Sequence, residues 1–139
     1  IYDVLNSIFT QAIEENLRDV AEGGSFYEEY IKAASLLVQY RDVVIHVYNS
    51  KNRDIVTNYL ERLTAEIVRG YIARKSEGQN ISDKDLEFIS YFYSYAIIGS
   101  TYKWIESGMK ADFKHFIGKI ADSIDATLPV MISKAGKAD

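Results

Sequence analysis

Two histidines, no cysteine and a scatter of carboxylates are what this sequence of 139 residues offers to catalysis or metal binding. His46 and His115 lie far apart, and neither stands in an H-E-x-x-H or E-x-x-H spacing that would put two ligands on one helical face. Without cysteine there is no disulfide framework, no thiolate ligand and no thiol nucleophile. Glu14–Glu15 and Glu28–Glu29 are adjacent pairs whose side chains point to different sides of a helix, as on a solvated surface. Gly23–Gly24 lacks the spacing of a phosphate-cradling loop. No serine–histidine relay can be assembled from sequence order. The expectation is a protein that is not an enzyme, with no metal and no cofactor.

Binding chemistry is better represented. Eleven tyrosines stand beside six phenylalanines and one tryptophan. A tyrosine joins a flat apolar body to one hydroxyl, so a cluster can line a mostly apolar pocket and still offer hydrogen bonds. Tyr91, Phe92, Tyr95, Tyr102 and Trp104 form such a cluster in sequence; the alternative is core filler with each hydroxyl satisfied locally. A second group is polar: His46, Tyr48, Asn49, Ser50, Asn52 and Arg53. Its plainer reading is a structural corner, with Asn49 and Ser50 capping helices and Arg53 paired to a carboxylate. Its sharper reading makes His46, Tyr48 and Asn49 ligand-binding groups, together with Tyr95, Tyr102 and Trp104.

Helices must carry these residues. There is one proline, Pro129, too little turn punctuation for a sheet protein of this length. Ile1, Leu5, Ile8, Phe9, Ala12, Ile13 and Leu17 make one apolar stripe, ending near Gly23–Gly24. Ser25 and Glu28 form a capping box that opens a second helix, expected to run to Asn49. The N-S-K-N cluster at 49–52 reads as a tight corner, and a third helix with Val56, Tyr59, Leu60, Leu63, Ile67 and Tyr71 inward ends at S-E-G-Q-N, 76–80. Ser82 and Asp85 make another capping box, with Ile81 and Leu86 as its hydrophobic staple. The fourth helix, to about Ser107, is apolar on nearly every side and must be covered by core, ligand or another subunit. Gly108 is placed to end it. A last helix carries Phe113, Phe116, Ile117, Ile120 and Ile124, with a short apolar segment from Leu128 to Ile132 and a frayed end beyond. The expectation is an all-α antiparallel bundle of about five helices forming one domain over 1–139.

Composition narrows the classes further. Hydrophobic residues at 47% and charged residues at 26% suit a globular domain rather than a disordered tail. The net charge of −4, with lysines and arginines dispersed, makes the chain by itself a poor nucleic-acid ligand. No apolar run approaches a membrane span, and no signal peptide is visible, so a cytoplasmic location is expected.

V-I-H-V-Y-N-S-K-N-R-D from Val44 to Asp54, followed by Y-L-E-R-L at Tyr59 to Leu63, resembles a corner found in one branch of the TetR/AcrR family of bacterial transcription regulators. W-I-E-S-G-M-K-A-D, Trp104 to Asp112, is similar to the junction between the last two long helices of their regulatory domains. I-Y-D-V-L at the start looks like the helix that follows the DNA-binding head. The resemblance implies a homodimer that contacts operator DNA only through an N-terminal helix-turn-helix absent here, the first residue being Ile1. It implies an interface built from the last two long helices, roughly 82–107 and 111–126, for which Ile89, Tyr93, Ala96, Ile97, Phe113, Phe116, Ile117, Ile120 and Ile124 are the candidates. It implies a small apolar or aromatic effector held between the second, third and fourth helices, and most simply a repressor. Two rival readings remain open. One is a helical interaction module that binds a partner helix through the aromatic fourth helix. The other is a small helical enzyme, which would need a polar constellation with displaced pKa values.

Overall fold

Ser25 and Ser82 begin two of the helices with their own side chains. In the computed structural model, which describes residues 2–19 and 24–137, each serine is extended (φ −72° for both) and accepts a bond from the third residue on, Glu28 or Asp85. Both bonds are 3.1 Å. Such a cap satisfies a helix N–H that the ladder leaves open. The elements in order are α1 (Tyr2–Asp19), α2 (Phe26–Gln39), α3 (Arg41–Tyr48), α4 (Asp54–Lys75), α5 (Asp83–Glu106) and α6 (Phe113–Lys137). No strand occurs among the described residues, and the fold is all-α. The stop expected near Gly23 and the last two residues lie outside the described residues.

Two expectations about the helices are corrected. The segment from Ser25 to Asn49 is two helices, because Tyr40 leaves the helical region (φ −110°, ψ 35°). The bend keeps its hydrogen bonds: the Tyr40 N–H donates to Leu36 at 3.0 Å and its carbonyl accepts from Val44 at 2.8 Å. The short segment expected after Ile124 is instead a continuation of α6 through Pro129. A proline inside a helix removes one ladder bond and costs about 3 kcal/mol. Leu128 and Ile132 flank it and are buried on the stripe of Ile117, Ala121 and Ile124, and that packing offsets the loss.

The junction after α5 follows from Gly108. Its φ of +83° is left-handed, which a residue without Cβ adopts freely. The Met109 N–H then reaches Trp104 O and the Gly108 N–H reaches Ile105 O, both at 2.9 Å, a Schellman closure. Arg41, at the start of α3, donates to the Gly108 carbonyl at 2.7 Å and ties that helix to the junction.

The core is organised around α4. Phe9 of α1 stacks on Tyr59 at 4.0 Å between centroids. Helix α2 runs antiparallel to α4, pairing Tyr30 with Thr64 (3.0 Å between hydroxyls), the Tyr59 hydroxyl with the Ala33 carbonyl (3.1 Å) and Phe26 with Tyr71. Helices α5 and α6 are also antiparallel, since Tyr93 bonds Thr127 at 2.6 Å while Trp104 stacks on Phe116.

Candidate functional site

Tyr48, at the end of α3, is the centre of the polar corner. It is buried, its hydroxyl donates to Glu106 Oε2 at 2.8 Å, and its ring lies 5.8 Å from that of Tyr102. Arg53 closes the corner from the other side. Its Nε donates to the Tyr48 carbonyl at 2.6 Å and its guanidinium lies 4.2 Å from the ring centroid. The arginine thus holds a backbone carbonyl and an aromatic face. Asn49 donates to the Ile45 carbonyl, Ser50 to that of Val47, and the Asn52 N–H to Ser50 Oγ. These bonds satisfy the corner from within.

Tyr102 donates to Glu61 Oε1 at 3.4 Å across α4 and α5. Burial pushes both phenols upward, with Glu106 adding to the effect at Tyr48 and Glu61 at Tyr102. Each stays protonated, and so stays a donor, through neutral pH. The structure therefore brings Tyr48 and Tyr102 together. His46 is exposed on α3. Trp104 is buried in the α5–α6 layer, its Nε1 donating to the Ala111 carbonyl at 2.9 Å. Tyr95 is 67% exposed and lines a neighbouring groove between α4 and α5 that shares Glu61 and contains Arg69.

The second candidate surface lies along α5 and α6. Ile89, Tyr93, Ile97, Ile117 and Ile124 are buried within the chain itself. Phe113, Phe116 and Ile120 are half-buried, and Ala96 is exposed. Residues that periodicity did not single out as interface complete the surface: Phe88 and Phe92, 47% and 50% exposed, and Ser100; Gly99, which with Ala96 is small enough for a close helix approach, is exposed beside them. A groove of about 440 Å³ runs between the helices, walled by Phe92, Ala96, Ser100, Phe116 and Ile120. An all-round apolar helix gives periodicity no inward direction, so burial alone separates Phe92 from Tyr93.

A third feature joins residues that no motif linked. Where α2 begins and α4 ends, the Tyr71 hydroxyl donates to Asp125 Oδ1 of α6 at 3.2 Å. Burial, then the charge of Asp125, pushes the Tyr71 phenol up to about 12. Nearby, Arg74 pairs with Glu29 at 2.6 Å. Among the described residues, no group of three or more metal-ligating side chains converges, and no helix is long and apolar enough to cross a membrane.

An antiparallel helical domain with an open aromatic face and a corner locked by side-chain bonds has the form of a regulatory domain of helical type. The family of TetR-type regulators described as the transcriptional regulator C-terminal region matches residues 24–126, and the chain belongs to it. The matched stretch contains both motifs, from the corner at 44–54 to the junction at 104–112. No curated protein and no solved structure matches the chain.

Proposed function

We propose that this chain is the homodimerising, effector-sensing domain of a bacterial, cytoplasmic TetR-type repressor whose DNA-binding head precedes it, and that it has no catalytic activity of its own. The observation that carries the reading is the open face of α5. Phe88 and Phe92 are about half exposed beside the α5–α6 groove, where a lone protomer would leave large rings in water. A second copy related by a twofold axis covers that face with its own α5 and α6, making a four-helix bundle. The outward residues Phe88, Phe92, Ala96, Gly99, Phe116 and Ile120 form the contact. Ile89, Tyr93, Ile97, Ile117 and Ile124 support it from beneath, and Phe113 reaches it from the start of α6.

The effector acts on the corner between α3, α4 and α5, where Tyr48 and Tyr102 meet, with the exposed His46 one turn or less away along α3 as a further contact. Asn49 is beside them; Tyr95 and Trp104 report from the adjoining groove and layer. A ligand there must bind one spacing of the heads better than another, since equal affinity for both shifts nothing. Heads on a dimer read half-sites about 34–36 Å apart, so a small displacement of α3 and α4 is enough to spoil the fit.

Light scattering across a concentration series tests the reading. A species of twice the 15.8 kDa chain is expected. A monomer at high concentration overturns dimerisation through this face and favours capture of a partner helix by α5 instead. For the corner, His46→Ala should weaken effector binding and leave thermal stability unchanged; equal loss of stability with no ligand effect sinks that role.

A further inference from the structure

The cleft where α2 begins, α4 ends and α6 passes belongs to neither the corner nor the α5–α6 face. Its volume is about 610 Å³, inside the range of small-molecule sites. The lining is divided by chemistry. Leu128, Pro129 and Ile132 of α6 give an apolar wall, while Tyr71, Lys75 and Gln79 give a polar one from the end of α4.

Two opposite charges face this space without meeting. The Lys75 ammonium lies 5.5 Å from the Tyr71 ring centroid, and no ion pair joins it to a carboxylate among the described residues. Asp125 uses Oδ1 to accept from Tyr71 and keeps a second oxygen. The cleft thus holds a carboxylate on α6 and, from the end of α4 and just beyond it, the Lys75 ammonium and the Gln79 amide. A purely anionic ligand would meet Asp125, and a purely cationic one would leave Lys75 unmatched.

We propose that this cleft binds a small zwitterion with an apolar body, its ammonium at Asp125, its carboxylate at Lys75 and its hydrocarbon against Leu128 and Ile132. Free apolar amino acids and short apolar peptides share that chemistry and differ in the distance between their charges. The site is separate from the effector corner, so it stands or falls without that assignment.

Calorimetric titration of the 139-residue chain with leucine and with trileucine tests it, each used free, N-acetylated and C-amidated. Saturable binding below about 1 mM is expected for one of the free forms, weakened about tenfold by blocking either end. Leucine binding defines an amino-acid site, and trileucine binding a peptide site. Asp125→Asn should weaken the free form several-fold and leave the N-acetylated form unchanged. Lys75→Gln should do the same with respect to the amidated form. Both residues are exposed, and circular dichroism checks that the variants keep the fold. No saturable heat from either free form up to about 10 mM, or binding that both substitutions leave intact, overturns the proposal. Neither result bears on the oligomeric state, which light scattering reads independently.

Discussion

Tyr48 shows how one side chain can tie three helices. Its ring receives Arg53 from the start of α4, its hydroxyl reaches Glu106 at the end of α5, and its own carbonyl ends α3. Replacing it with phenylalanine keeps the stacking and removes one hydrogen bond to a charged acceptor. Glu106 is exposed and regains water, so Tyr48→Phe should cost about 0.5–1.5 kcal/mol in urea denaturation. A loss above about 3 kcal/mol would mean that the hydroxyl organises more of the corner than its single bond implies. Tyr71 predicts a pH effect. Its phenol is raised from 10.0 to about 12, so the folded state holds a proton that the unfolded state releases first. The resulting stability is fully present below pH 10 and is lost as pH rises through about 12. The melting temperature should therefore fall across that window. In Tyr71→Phe the alkaline fall should be shallower than in the parent chain; an unchanged profile rules out this tyrosine as a source.

Helix ends were legible in the residues because caps are local chemistry. The two serine boxes and Gly108 needed only neighbours within one turn, and each stands where its spacing put it. Gly108→Ala should destabilise by about 1 kcal/mol, since a Cβ is strained at φ +83° while the space around it is open. No change in stability would mean that the Schellman turn relaxes at no cost. Two other features could not be read locally. Tyr40 carries no glycine or proline signal, and the apolar stripe runs on through it; the bend goes with a distant contact, the bond from Arg41 to the junction after α5. Pro129 reads as a stop, but Leu128 and Ile132 on either side are anchored in the core and carry α6 onward. The candidate sites follow the same division. The corner was visible as a contiguous motif, whereas the Tyr71–Lys75–Asp125 cleft joins α4 to α6, two helices far apart in the chain, and no sequence spacing records it.

The proposed dimerisation depends on which side of α5 faces out, and that choice belongs to the folded body rather than to any helix alone. Neighbouring positions 92 and 93 are both aromatic, yet Tyr93 is 7% exposed and bonds Thr127 while Phe92 is 50% exposed. The two should answer differently to the same insult. Phe92→Glu places a charge at a half-exposed position and gives up ring contacts only with its α5 neighbours Phe88 and Tyr93, so helix content by circular dichroism should be unchanged. In the proposed dimer it removes an aromatic anchor from each subunit and brings like charges together. In an isologous contact that change counts twice, about 4 kcal/mol or roughly a thousandfold in dissociation constant. Light scattering should then show a monomer where the parent chain is paired. The melting temperature adds a second reading, because a dimer is stabilised by concentration through mass action and a monomer is not. The parent chain should melt higher as it is concentrated, and Phe92→Glu should lose that dependence. If Phe92→Glu remains a dimer, the aromatic face of α5 is not the contact, and the pairing surface must be sought on another side of the bundle.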